Sequence, residues 1–244
     1  MNFSIKCSAA VFSFISLAIV PVHSFAETTT TEWSGQAELG YITTSGNTET
    51  STLNSKLSVS HEVEKWLQTV ALTAMSDSTD KQTTAERYTA LAKAGYKFNE
   101  HDYVFVQGEY ISDRFKGFDW QGIFSLGYGR RIINEATLFW DVEIGPGYSK
   151  TAFSDNGLED INEAVLFTAT RVSWSFSQSA KFTQELSSSW GADNTTAKSI
   201  TAVQSSLIGS LAMKVSYEIN YNSGVQAGID KTDTLTSINL VYEL

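Results

Sequence analysis

The side chains in this chain that could do chemistry are few, and most of them recur at even spacings. Serines are everywhere and single out no nucleophile, so a catalytic reading turns on the base, for which the chain past its first residues, where His23 and the one cysteine Cys7 fall, offers His61 and His101. His61 and His101 fall at the ends of periodic stretches, with no serine and orienting carboxylate at a spacing that would complete a hydrolytic triad, so no catalytic residue is expected. The acidic run Asp155-Asn156-Gly157-Leu158-Glu159-Asp160 lacks the ligand spacing of a calcium loop and reads as a solvated loop, so no metal and no cofactor is expected. The charges that remain share one phase of a two-residue alternation. Glu38, Glu109, Asp141, Glu143, Glu185 and Glu218 fall in it with Lys56, Lys93, Arg131, Arg171 and Lys214. Fixed charges of both signs on one polar face can sort or hold ions, and that is the chemistry they suggest.

Positioning those charges is the work of alternating strands. In Leu211 to Tyr221, LAMKVSYEINY, the residues Leu211, Met213, Val215, Tyr217, Ile219 and Tyr221 alternate with Ala212, Lys214, Ser216, Glu218 and Asn220. Such a stretch is a strand signal, and its length suits the roughly 9–11 residues of a strand tilted across a bilayer. Twelve stretches read this way: 33–44, 50–61, 66–76, 84–97, 103–112, 119–132, 137–150, 161–175, 181–191, 197–207, 211–222 and 232–244. After the first residues no segment approaches a hydrophobic helix, so a membrane-embedded chain must be a closed barrel, in which every backbone group has a partner. The expected fold is all-β: a transmembrane antiparallel up-and-down barrel of about twelve strands with both termini periplasmic. Connections 98–102, 133–136, 176–180 and 208–210 are tight, whereas 77–83, 112–118, 151–160 and 223–231 are longer and polar, as expected of periplasmic turns and extracellular loops.

Residues 1–26 read as a cleaved secretory signal: Lys6 starts it, Cys7 to Val20 is apolar but too short to span, and Ser24-Phe25-Ala26 ends it in small residues. The expected domains are that signal and a barrel over 27–244. Lys6 is the only charge in the signal, so cleavage takes the formal charge from −10 to −11, which argues against nucleic acid as a partner. Cleavage also removes the sole cysteine, leaving no disulfide. Excess acid gathers in the outer connections at Asp77, Asp80, Asp119, Asp155, Glu159, Asp160, Asp193, Asp230 and Asp233, a mouth that would concentrate cations.

Two aromatic belts are expected. Trp33, Trp66, Tyr96, Tyr103, Tyr128, Trp174, Phe182 and Tyr242 fall near periplasmic strand ends, and Tyr41, Tyr88, Tyr110, Trp120, Tyr148, Trp190 and Tyr221 near the others. Pro146, between Gly145 and Gly147, suggests a bend or bulge. The phases of the third, fifth and eighth strands are ambiguous because both faces carry apolar residues. In the eighth, Leu166, Val172 and Trp174 are placed outward so that Arg171 turns inward, since a charge facing lipid at the midplane costs about 2–4 kcal/mol. Strand order then sets Arg171 between Asp141 and Glu185, a cross-strand cluster expected to narrow the barrel toward its periplasmic half, with separate hydration as the alternative. Arg87, Asp113 and Arg114 fall at the extracellular rim, where ion pairs or contacts to lipopolysaccharide phosphates are expected.

The opening hairpin, with Trp33, Gly35, Gly40 and Ser45-Gly46-Asn47-Thr48, resembles the start of the salt-induced outer membrane protein family of the YdiY type, domain of unknown function 481. Thr84-Ala85-Glu86-Arg87-Tyr88, Asp113-Arg114-Phe115 and Gly145-Pro146-Gly147-Tyr148 extend the likeness along the chain. The resemblance implies a Gram-negative outer-membrane barrel and no established activity. One departure is Leu244 at the C-terminus, where many such barrels end in an aromatic residue. The leading expectation for function is a porin-like barrel that is not an enzyme, with a narrow pore for ions or small solutes. The alternative is a non-conducting structural or surface-interaction barrel. Expected partners are outer-membrane lipid, lipopolysaccharide and the barrel-assembly machinery during biogenesis, and nothing in the sequence sets the oligomeric state.

Overall fold

The computed structural model describes residues 32–44, 50–80, 82–113, 118–153, 159–225, 228 and 230–244. Residues 1–26, Ser45 to Thr48, Arg114 and Phe115, and Asp155 to Leu158 lie outside the described residues. Twelve strands follow one another: β1 (Glu32–Thr44), β2 (Thr50–Val63), β3 (Trp66–Thr79), β4 (Gln82–Lys97), β5 (Asp102–Asp113), β6 (Trp120–Asn134), β7 (Leu138–Ala152), β8 (Ile161–Trp174), β9 (Ala180–Trp190), β10 (Thr195–Ile208), β11 (Leu211–Asn222) and β12 (Thr232–Glu243). Each pairs antiparallel with its neighbour in sequence, and β1 closes on β12 to complete the barrel. Among the described residues no helix is long and apolar enough to cross a membrane. It is the strands that cross, because closure satisfies their backbone groups without water.

Alternation decides the faces. Leu39, Val70, Leu72, Val106, Phe124, Leu126, Ile144, Leu166, Val203, Val215, Ile238 and Leu240 point outward and stay exposed, as the lipid-facing wall of a transmembrane barrel requires. The three ambiguous strands resolve in the same way. Trp66, Val70 and Leu72 face out on β3, Val104, Val106 and Tyr110 on β5, and Leu166 and Trp174 on β8, so Arg171 takes the inward phase. Outward aromatic rings pair up along the ends of the wall. Trp66 meets Tyr96 at 5.2 Å and Trp174 meets Phe176 at 5.6 Å at the end carrying the tight turns, while Tyr110 stacks on Trp120 at 6.0 Å at the end carrying the longer loops.

Four expectations need correction. Tyr103 is not part of a belt: it is buried inside the barrel, on the face of β5 opposite Val104. The 77–83 connection is mostly strand, because β3 and β4 continue their ladder to Thr79↔Gln82. For the same reason Asp77 lies on β3, where it accepts the Thr52 hydroxyl, and Asp233 lies on β12. Pro146 makes no bulge. The β6–β7 register is the same on both sides of it, from Ser125↔Gly147 to Tyr128↔Ile144, and only the pairs between are lost, beside a residue that has no N–H to donate. The bulge on β6 lies instead between Arg131 and Ile133.

The closing seam is the shortest ladder, running from Gln36↔Glu243 to Gly40↔Asn239, with Leu244 N donating to Gly35 O at 2.8 Å beyond it. Gly40 is required there, because a Cβ would overlap the Asn239 side chain, which donates to Glu38 at 3.0 Å. Leu39 and Leu240 are register partners on the lipid face. Opposed strand residues bring their Cβ atoms within about 5 Å, close enough for a disulfide after a small adjustment. With Cys7 absent, a Leu39→Cys, Leu240→Cys chain refolded in detergent should therefore oxidise to a covalent ring that migrates differently from its reduced form on a denaturing gel. Failure to cross-link would contradict closure at this register.

Candidate functional site

The inward face of β5 is a ladder that runs from the turn end to the loop end: Tyr103, Phe105, Gln107, Glu109, Ile111 and Asp113. Across from it on β6 the register sets Gly129 against Tyr103 and Gly127 against Phe105. These glycines leave room for rings lying flat on the neighbouring strand; a Cβ at Gly127 would come 2.7 Å from Phe105 Cζ. Phe105, 1% exposed, meets the Phe167 ring at 5.9 Å edge to face, with the Lys93 ammonium 4.7 Å from its centroid. Tyr103 donates to Glu143 at 2.6 Å, and Glu143 also pairs with Lys93. An aromatic shelf thus stands on the β5–β8 wall, its outer polar edge held by an ion pair.

Several charge pairs skip strands, and these cross the lumen. Arg131 on β6 reaches Glu62 on β2, over three intervening strands, at 3.1 and 3.3 Å, and Lys97 joins the same carboxylate at 2.6 Å. The planar guanidinium takes both carboxylate oxygens, a geometry that fixes direction as well as distance. Lys181 on β9 meets Glu243 on β12 at 3.2 Å, with Gln204 donating at 2.6 Å. Lys214 on β11 meets Glu38 on β1 at 2.9 Å. At the loop end, Arg87 on β4 bridges Asp113 at 2.8 Å and Asp233 on β12 at 3.2 Å, again over three strands. Between the mouth and the shelf lies a cavity, about 960 Å³ with the open solvent space it joins, its lining including Arg87, Glu109, Lys198, Glu218, Ile123 and Phe167.

The expected cluster is arranged as follows. The register sets Asp141↔Arg171 and Arg171↔Glu185, so the three residues form one row. Arg171 Nε lies 3.4 Å from Glu185 Oε1, whereas Asp141 takes the Tyr103 hydroxyl at 3.4 Å. The Arg171 side chain is 57% exposed, so it stands beside open space. Of the other inward charges, Lys93 is joined to Glu143, Lys214 to Glu38, and Arg131 to Glu62. Glu218 is 3.6 Å from Lys198. Glu109 and Lys56 make no ion pair among the described residues. Arg87 turns inward beside outward Tyr88, and Arg114 lies outside the described residues. His61 stacks on Trp33 at 4.1 Å and a His101 ring nitrogen sits 3.0 Å from the Arg131 carbonyl, both at strand ends.

Sequence reasoning missed Glu62, Lys97, Lys198 and the shelf residue Phe105, and it named Asp233 and Tyr103 only as a loop acid and a belt aromatic. Glu62 was within reach: it continues the inward phase of Lys56 one residue past the point where the strand was expected to end. Also missed was Glu163, whose carboxylate accepts the Asp193 and Asn194 N–H groups at 2.8 and 2.9 Å and ties the β9–β10 connection to β8.

The solved NanC porin has the same kind of barrel, with a TM-score of 0.51 at 10% identity over 86% of this chain and 97% of that one. In sequence, the uncharacterized protein YdiY of Escherichia coli (strain K12) is 26% identical over 211 residues, 86% of this chain and 82% of the relative. A family model matches residues 37–244, which is nearly the whole barrel. This chain belongs to the family described as protein of unknown function, DUF481.

Proposed function

We propose that the chain is an outer-membrane barrel, with its turn end and both termini in the periplasm, whose lumen is a narrow passage for ions or small solutes with a preference for cations. The observation that carries this reading is the pair of arginine braces, Arg87 to Asp113 and Asp233 at the mouth and Arg131 to Glu62 near the turns, with a hydrated-size cavity between them. A barrel needed only as a wall could fill its interior with apolar side chains, whereas this one keeps a polar interior and spans it with ion pairs. The cation preference follows from the mouth, where by sequence Asp77, Asp80, Asp113, Asp119, Glu159, Asp160, Asp193, Asp230 and Asp233 outnumber Lys81, Arg87, Arg114, Lys116, Lys150 and Lys231. Secretion through a cleaved signal, contact with lipid and lipopolysaccharide, and handling by the assembly machinery belong to the same reading. The second reading, a barrel that does not conduct, is favoured by the shelf, since Phe105 is almost fully enclosed.

Planar bilayer recording on refolded protein decides between them. The expected result is small, discrete, cation-favouring steps. Arg87→Ala removes the counter-charge of Asp113 and Asp233 and opens the mouth, and should raise cation preference at least about two-fold. A silent bilayer with correctly folded protein would leave the structural barrel as the function.

A further inference from the structure

We propose that the loop-end cavity is a binding site for a small organic cation, an ammonium head on an apolar body, with Glu109 as its counter-charge. This rests on the reading of the lumen as open to solvent from the mouth, and goes beyond it by naming what the cavity holds.

The charges lining the cavity are almost all answered from within the wall. Arg87 is shared by Asp113 and Asp233, and Lys198 stands against Glu218. Glu109 is the exception: it lines the cavity and makes no hydrogen bond or ion pair among the described residues. Its neighbours along and beside the strand are apolar. Ile123 is its register partner on β6, Leu91 its partner on β4, and Ile111 follows it along the same face of β5. Phe118 and Ile123, both buried, and Phe167 complete that side. A carboxylate left single against such a wall is costly unless a cation or a proton joins it.

An inorganic cation gains little here, since divalent ions want several converging oxygens and only one free carboxylate is offered. A monovalent ammonium needs fewer partners: Glu109 supplies the charge, and the Thr89 hydroxyl, on the same lining, supplies an acceptor. An apolar body attached to that head would cover Ile111, Ile123 and Phe118, a gain unavailable to a bare ion. Anions meet the Glu109 carboxylate, while the bases on the lining, Arg87 and Lys198, are already set against Asp113, Asp233 and Glu218.

The test is saturation-transfer NMR titration of the refolded barrel in a nonionic detergent with three probes: cyclohexylammonium, cyclohexanecarboxylate of the same shape and opposite charge, and methylammonium with the head alone. Cyclohexylammonium should bind at least about tenfold more tightly than either of the others. Glu109→Gln should remove that preference, and so should Ile111→Lys, which sets a tethered ammonium two residues along the same face; retained heat-dependent gel migration certifies folding of each. Equal binding of cyclohexanecarboxylate, or wild-type affinity in both variants, would overturn the proposal. Binding in detergent needs no conduction, so selective binding by a barrel that passes no current would leave this site standing while the pore reading fails, and current without selective binding would do the reverse.

Discussion

Gly145→Val should abolish the barrel, whereas Gly108→Val should leave it intact. Both glycines lie inside strands, where valine is the better strand former by propensity, so the expected difference comes from space alone. At Gly145 a Cβ would overlap the carbonyl oxygen of Leu126 and Cα of Gly127 on β6. Those are backbone atoms and cannot rotate away. At this point β6 and β7 lose the ladder pairs beside Pro146 and close up against each other, which makes the glycine necessary. Overpacking typically costs about 1–3 kcal/mol, and a fixed backbone obstacle puts Gly145→Val at or beyond the top of that range. Gly108 faces lipid with nothing within 4 Å of an added Cβ, so valine there meets only lipid and gains strand propensity. The measurement is refolding yield by heat-dependent migration: the band of the folded form should be absent for Gly145→Val and at wild-type level for Gly108→Val. Comparable yields would show that the β6–β7 approach is not needed for assembly.

The strands were legible because period two is a strong signal once one face must meet lipid. The expected stretches fall within a few residues of the observed β1 to β12. The errors have a common physical source. On β3, residues Ser76 to Thr79 are polar on both faces and resemble a loop in composition, yet they are held as strand by ladder bonds to β2 and β4 that composition does not report. On β5 and β8 the inward face carries Tyr103, Phe105, Val165 and Phe167, so a rule that sends apolar residues to lipid gives no answer there. The charges that decided β8, with Arg171 placed inward, had no counterpart strong enough to flag the shelf.

The braces were less legible for a different reason. Which inward residues meet across a lumen depends on strand tilt and stagger as well as on phase, and these are properties of the closed barrel. Phase alone puts Arg131 and Glu62 on the same surface, but nothing local joins β6 to β2. Neighbouring pairs such as Arg171 and Glu185 are set by strand order and were within reach. Contacts across the barrel were not.

Phe105→Ala combined with Phe167→Ala should raise single-channel conductance several-fold over the wild type. The two rings pack edge to face at 5.9 Å, Phe167 lining the cavity and Phe105 behind it, and below them Tyr103, Lys93 and Glu143 form one connected group. Removing both rings takes the apolar mass out of the constriction and leaves Gly127 exposed behind it, so the cavity would join the turn-end half of the lumen. A buried Phe→Ala change in a dry core costs about 3–5 kcal/mol. In a polar lumen water can enter the vacated space and offset part of that loss, so the double variant should still refold, with a lower unfolding temperature. Leu166→Ala, on the lipid face beside Phe167, is the control: it removes apolar surface of similar kind without touching the lumen and should leave conductance unchanged. If the double variant conducts no better than the wild type while remaining folded, the narrowest point is not the shelf. The Arg131 to Glu62 brace then becomes the constriction, and Arg131→Ala should produce the rise that the ring deletions did not.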